Sequence, residues 1–274
     1  MSKPRLLYVT QEMNPYTNLT AISSIVKGLP QAANEKGMEI RVLMPRFGTI
    51  NERRHRLHEV VRLSGMNIIV DDDDYPLIIK VASLPGARLQ VYFLDNEEFF
   101  KRKFVFEDED GKPFEDNQDR MVFFCKGVLE TVKKFGWPPD LIHCHGWMTS
   151  LVPFYLKSVY KQDPIFERSD VIYSVYKESM EDSFTNAFFS KASINELGEE
   201  DLKAYKDGDK INLHKGAISY ADALVMGSDE LPDRVQKAVN DADLPKLEYV
   251  EDDELLPSYI KFYQELLATK AEAE

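Results

Sequence analysis

Cysteine is nearly absent: the 274 residues hold two, Cys125 and Cys144, in no paired motif. That excludes a disulfide framework, and both read as small buried apolar groups in a reducing compartment. Long apolar runs are missing too. No stretch reaches the ~18 consecutive apolar residues of a membrane span. The run from Leu6 to Val9 is far too short for the core of a signal peptide. The expectation is a cytoplasmic protein without membrane contact. Positive charge is in deficit, with 34 Lys and Arg against 47 Asp and Glu and a formal net charge of −13. This argues against a nucleic-acid partner, whose groove needs clustered cations. The basic run Arg53-Arg54-His55-Arg56 is the local exception, and such runs are ordinarily solvated.

What is present is an alternation of strands and helices. Arg5 to Thr10 reads as a strand. Leu19, Ile22, Val26, Leu29 and Ala33 recur at spacings of three and four, on one helical face, and Gly37 ends that helix. Glu39 to Met44, closed by Pro45, completes a strand–helix–strand unit of parallel topology. Met66 to Val70, Pro76 to Ser83 and Leu89 to Leu94 read as hairpin-like additions at a sheet edge, around an acidic turn at Asp71–Asp74. A short helix follows over Asn96 to Lys103. Met121, Phe124, Cys125, Val128, Val132 and Phe135 form one stripe of a long helix that Pro138-Pro139 breaks. Strands then fall at Asp140 to His145, Asp170 to Tyr176 and Ala223 to Met226, and helices at Ser150 to Tyr160, Ile211 to Ala221 and Glu230 to Val239. The fold class is α/β, a Rossmann-like three-layer sandwich with a mostly parallel sheet. Residues 1–240 form the domain and 241–254 an acidic surface linker. Residues 255–274 form a C-terminal helix whose apolar stripe packs on the same domain or meets a partner surface.

In such a sheet, ligands bind beyond the carboxyl ends of the strands. After the first strand a phosphate-cradling turn would need glycine, because N–H groups must approach the anion and some residues take φ > 0. No glycine occurs between Lys3 and Lys27. Asn18 or Thr20 can cap the helix instead. His143 and His145 share one face of a strand; without a third ligand they suit a hydrogen-bonded or site-lining role better than a metal. Trp147 reads as core or as a platform for a sugar ring. Asp116 and Asn117, before a long helix with Arg120, are N-cap candidates or contacts for a ligand hydroxyl. No Ser/His/Asp or Cys/His catalytic arrangement emerges, no cofactor is implied, and Asp71–Asp74 lacks the spacing of a calcium loop.

These residues resemble the N-terminal domain of bacterial glycogen and starch synthases, over roughly residues 4–240. The signatures are Leu43-Met44-Pro45-Arg46-Phe47-Gly48, Ile50-Asn51-Glu52-Arg53-Arg54, Glu115-Asp116-Asn117 with Arg120, and Pro139-Asp140-Leu141-Ile142-His143-Cys144-His145-Gly146-Trp147 running into Leu151-Val152-Pro153. Lys210 to Met226 is similar to the stretch before the end of the family's first domain. The likeness is strongest to short, single-domain members of the Bacteroidetes type. It implies one lobe of a GT-B glycosyltransferase and a place in α-glucan metabolism.

Departures from the family pattern fall on its donor side. The family's Lys-Thr-Gly-Gly-Leu loop, which contacts the sugar nucleotide, is matched by Asn18, Leu19, Thr20, Ala21 and Ile22. Its His-Asp-Trp-His stretch becomes His145-Gly146-Trp147-Met148. Its Thr-Ile-His-Asn stretch, whose histidine lies at the reaction centre, becomes Ser174-Val175-Tyr176-Lys177. The family also needs a second Rossmann-like domain, for which these residues leave no room. Glucosyl transfer builds negative charge on the departing diphosphate, and loss of one preorganised donor costs ~3–4 kcal/mol; closure of two lobes also excludes water. The expectation is a lobe that is not catalytic alone and binds an α-glucan or a protein partner through Asp116, Asn117, Arg120, His143, His145 and Trp147. The alternatives are half of a split ADP-glucose- or UDP-glucose-dependent glucosyltransferase completed by another chain, and a domain reused for protein interaction, as a homodimer or through its last helix.

Overall fold

The computed structural model describes residues 3–273, with the side chains of Glu181, Asp252 and Ala273 outside that description. Met1, Ser2 and Glu274, at the ends of the expected domain and last helix, also lie outside it. The strands are β1 (Arg5–Thr10), β2 (Glu39–Pro45), β3 (His58–Glu59), β4 (Met66–Val70), β5 (Asp73–Ser83), β6 (Gln90–Asp95), β7 (Leu141–His145), β8 (Asp170–Val175), β9 (Lys206–Asp207), β10 (Lys210–Ile211), β11 (Ala223–Met226) and β12 (Lys246–Leu247). The helices are α1 (Ile22–Glu35), α2 (Glu52–His55), α3 (Glu97–Phe100), α4 (Asn117–Phe135), α5 (Leu151–Lys157), α6 (Ala187–Ala192), α7 (Leu213–Ile218), α8 (Asp233–Asp241) and α9 (Asp252–Ala273).

Among the described residues one sheet runs β12-β11-β8-β7-β1-β2-β6-β5-β3, with β4 paired to β5. From β12 to β6 every neighbouring pair is parallel. From β6 outward the pairs are antiparallel, which is the hairpin addition expected at this edge. The central strands are buried on both faces, as a doubly covered parallel sheet requires: β7 reads Leu-Ile-His-Cys-His with every residue buried. Helices α1 and α9 pack together, and α4, α5, α7 and α8 form a second group. Right-handed crossovers on either side of β1 put the two groups on opposite faces. The fold is the mostly parallel Rossmann-like α/β class read from the sequence.

Several local expectations change. Helix α1 begins at Ile22, so Leu19 leaves the buried stripe and is 46% exposed. The acidic turn is confined to Asp71 and Asp72, because Asp73 and Asp74 pair with Val70 and Ile69. Asp116 precedes α4 without any side-chain capping bond; its carboxylate instead binds Arg102. The segment 241–254 is not irregular throughout: Lys246–Leu247 extends the sheet parallel to β11. Helix α9 begins at Asp252 rather than at Leu255 and lays Tyr259, Ile260, Phe262 and Tyr263 into the core. Each such side chain contributes roughly 1.5–3 kcal/mol on burial.

Candidate functional site

The carboxyl ends of β1, β7 and β8 meet at the middle of the sheet. The chain leaves β1 through Gln11 and Glu12, both buried. The Glu12 carboxylate then folds back onto the loop: Oε2 accepts from Leu19 N at 2.6 Å and Thr20 N at 2.9 Å, and Oε1 from Thr20 Oγ1 at 2.6 Å. Burial raises the Glu12 pKa, and the bonds from Thr20 and Leu19 work against that rise. The N–H groups that an anion would need here are already engaged by a side chain of the same chain. Thr20 Oγ1 also accepts from Ile22 N at 3.2 Å, and Asn18 Oδ1 accepts from Ser23 Oγ at 2.7 Å. The capping role expected of Asn18 or Thr20 thus falls to Thr20, just ahead of Ala21 at the helix boundary.

Gly146 follows β7 with φ +86°, and a Cβ there would lie 2.3 Å from Gln11 Oε1. Only glycine suits both the left-handed backbone and the space that Gln11 fills. Gln11 Oε1 also accepts from Met148 N at 3.3 Å, and Met148 is buried. Tyr176 is buried as well: its hydroxyl bonds His145 Nδ1 at 2.9 Å. Its ring occupies the volume over Gly227, where a Cβ would lie 2.4 Å from Tyr176 Cε1.

His143 and His145 stand on one face with ring centroids 3.9 Å apart, as the strand period requires. His143 Nδ1 meets Tyr263 Oη of α9 at 2.7 Å, and Nε2 meets Ser174 Oγ at 2.8 Å. Desolvation pushes both imidazoles down, His143 well below the usual value and His145 to about 3. Both are neutral core groups under α9. Among the described residues no group of three or more His, Cys, Asp or Glu is placed to hold a metal ion.

Above this floor lies an open cleft of about 650 Å³. Leu19, Phe104, Phe106 and Trp147 give it apolar faces, and Gln11, Thr20, Lys177 and Glu178 give it polar ones. Trp147 is 2% exposed and packs on Phe106 with centroids 4.9 Å apart. Asn117 and Arg120 lie behind the wall. Asn117 Nδ2 donates to Phe106 O at 2.8 Å, and Arg120 Nη1 donates to Val105 O at 2.6 Å and to Asn117 Oδ1 at 2.8 Å. The Arg120 guanidinium sits 5.5–5.9 Å from the ring centroids of Phe47, Phe100, Phe106 and Phe114, and burial lowers its pKa to about 10. Of the residues singled out from sequence, Thr20 and Trp147 line the cleft. Asn117 and Arg120 hold the 104–107 segment that forms its wall, and His143, His145, Tyr176 and Met148 lie beneath it.

A family model of the starch synthase catalytic domain matches residues 5–244. The chain belongs to that family. Glycogen synthase of Chlorobium limicola is 36% identical over 225 residues, 82% of this chain and 45% of that protein. Glycogen synthase of Chlorobium phaeobacteroides is 34% identical over 234 residues, 85% of this chain and 47% of that protein. The catalytic domain of starch synthase IV from Arabidopsis thaliana, bound to ADP and acarbose, aligns with a TM-score of 0.73 at 19% identity, over 91% of this chain and 52% of that one. That likeness supports the GT-B-type lobe. The chain spans about half the length of the relatives it matches. Glu12 ties down Leu19 and Thr20, two of the five loop positions set against the family pattern in the sequence, and Gln11 and Tyr176 fill the space over Gly146 and Gly227. Glu12, Gln11 and Phe106 escaped the sequence reading. Their roles depend on how the loops close, and the only advance signal was the position of Gln11 and Glu12 just past a strand end.

Proposed function

We propose that this lobe binds α-glucan in the carboxyl-edge cleft and does not by itself hold or turn over a nucleotide sugar. What carries the reading is the loop after β1: it has neither lysine nor glycine at Asn18, Thr20 and Ala21, and a carboxylate, Glu12, bonds its N–H groups at Leu19 and Thr20. A diphosphate approaching there meets negative charge and no preorganised donor at those two positions, the reverse of what departing-group stabilisation needs. The half-buried rings of Phe104 and Phe106, beside polar groups, suit a sugar, whose ring faces are apolar and whose edges carry hydroxyls. The second reading, the N-terminal half of a split glucosyltransferase, rests on the openness of the same edge to another chain.

Calorimetric titration with maltoheptaose, ADP-glucose and UDP-glucose tests both. The expected result is maltoheptaose binding that Phe106→Ala weakens, with no heat from either nucleotide sugar. Glucan elongation from ADP-glucose by the purified chain would overturn the proposal; elongation only after a second protein is added would establish the split enzyme.

A further inference from the structure

At the end of the sheet away from the cleft, the amino ends of β2 and β6 border a pocket of about 520 Å³. Two arginines line it, Arg41 of β2 and Arg88 from the turn before β6. Glu39 is the one carboxylate among its described lining residues, and it is already engaged. Its Oε2 accepts from Arg5 Nε at 3.2 Å and its Oε1 from Trp137 Nε1 at 2.7 Å.

Arg41 is held in place but not matched. Its guanidinium carbon lies 4.2 Å from the Phe135 ring centroid and 4.8 Å from that of Trp137. Two aromatic rings thus fix the guanidinium without supplying an acceptor for its N–H groups. Nη1 is buried and has no hydrogen-bond partner among the described residues. Burial lowers the Arg41 pKa; Tyr92 and Glu39 act against that fall, and the charges of Arg62 and Arg5 add to it. Arg88 is exposed, and its side chain has no ion pair or hydrogen bond among the described residues. Four arginines therefore share one carboxylate, in a chain whose net charge is −13. Gathering like charges around a partly buried cation is unfavourable, and an anion in the pocket would relieve it.

We propose that this pocket binds a phosphoryl group, with Arg41 and Arg88 supplying the charge and the guanidinium donors. Arg5 and Glu39 offset each other, so the wall presents two uncommitted cations, which match a phosphoryl dianion. Guanidinium forks also suit its oxygens, which two arginines can engage together. A single carboxylate would leave one arginine unmatched. The strongly acidic chain disfavours a nucleic-acid backbone as the source. The occupant is a small organic phosphate or free phosphate. This site is separate from the glucan cleft and does not depend on glucan binding there.

Titration calorimetry of the full chain with inorganic phosphate, glycerol 3-phosphate and acetate, at matched ionic strength, tests it. Heat is expected from both phosphates and none from acetate. Tighter binding of glycerol 3-phosphate identifies an organic phosphate as the occupant, and equal or weaker binding identifies free phosphate. Arg88→Glu is expected to weaken both phosphates at least about tenfold and to leave maltoheptaose binding unchanged. Arg41→Met is expected to weaken them as much, with Arg88→Glu decisive if that variant fails to fold. Arg53→Glu, an exposed charge in the separate basic run, is expected to leave phosphate binding unaltered. No heat from either phosphate up to about 10 mM overturns the proposal. So does acetate binding as tight as phosphate, undiminished binding by Arg88→Glu, or an equal loss in Arg53→Glu.

Discussion

Beyond β1 the loop turns a carboxylate onto its own N–H groups, whereas beyond β8 and β11 a pocket lined by basic and acidic side chains holds the buried His214, whose Nε2 has no hydrogen-bond partner among the described residues. Both regions lie on the same edge of the same sheet, where strand geometry alone would make either a ligand site. What separates them is hydrogen bonding: at the first the Leu19 and Thr20 N–H groups have an internal acceptor, and at the second His214 Nε2 and Ser179 Oγ have no partner among the described residues. Inside a protein an unmet donor is costly, so the distribution of satisfied and unsatisfied groups distinguishes the two regions more sharply than the position of the edge does.

The largest expected effect reaches both regions through the histidines beneath them. Desolvation holds His143 well below the usual range, His145 at about 3 and His214 at about 4. The folded chain keeps all three neutral, while the unfolded chain takes up protons below about pH 6.5. Stability is therefore full above that pH and falls as pH drops toward the folded values, by about 2 kcal/mol per histidine at pH 5. Urea melts at pH 7 and pH 5 measure it; coincident midpoints would show that the histidines are not held neutral.

Next in size is the support under the β1 region. Tyr263→Ala is expected to cost about 3–5 kcal/mol by opening a cavity, and Tyr263→Phe about 1–2 kcal/mol by stranding His143 Nδ1. Thermal melts of the two variants separate packing from the hydrogen bond. Gly146→Asp is expected to cost about 1–3 kcal/mol from the left-handed backbone alone, with the clash against Gln11 added to it. Pairing it with Gln11→Ala should recover part of the loss, and a double-mutant cycle reads the coupling. The smallest change sharpens the contrast itself. Converting Asn18→Lys, Thr20→Gly and Ala21→Gly together is expected to make ADP-glucose binding measurable by calorimetry. If binding stays undetectable, the loop sequence is not what separates the two regions.

Much of the fold was legible because periodicity reports burial. The apolar runs of β1, β2 and β11 and the stripe of α4 stand out locally, and their pairing follows from parallel topology. Strand β12 was not legible. Two residues amid acidic neighbours carry no period, and only the free edge of β11 gives them a partner. Arg120 looked like a ligand contact because sequence shows its charge and not the four rings and two oxygens that enclose it. Glu12 was invisible for a related reason, since its bonds span seven and eight residues across an irregular loop. His143 and His145 were placed on one face correctly, but the tyrosine that meets His143 lies 120 residues away.

The interlock of Gln11 with Gly146 makes the two positions a pair. A side chain at position 146 would need Gln11 to give way as well as a backbone φ that favours glycine, so a mutational scan of either position alone should tolerate less than a library that varies both together.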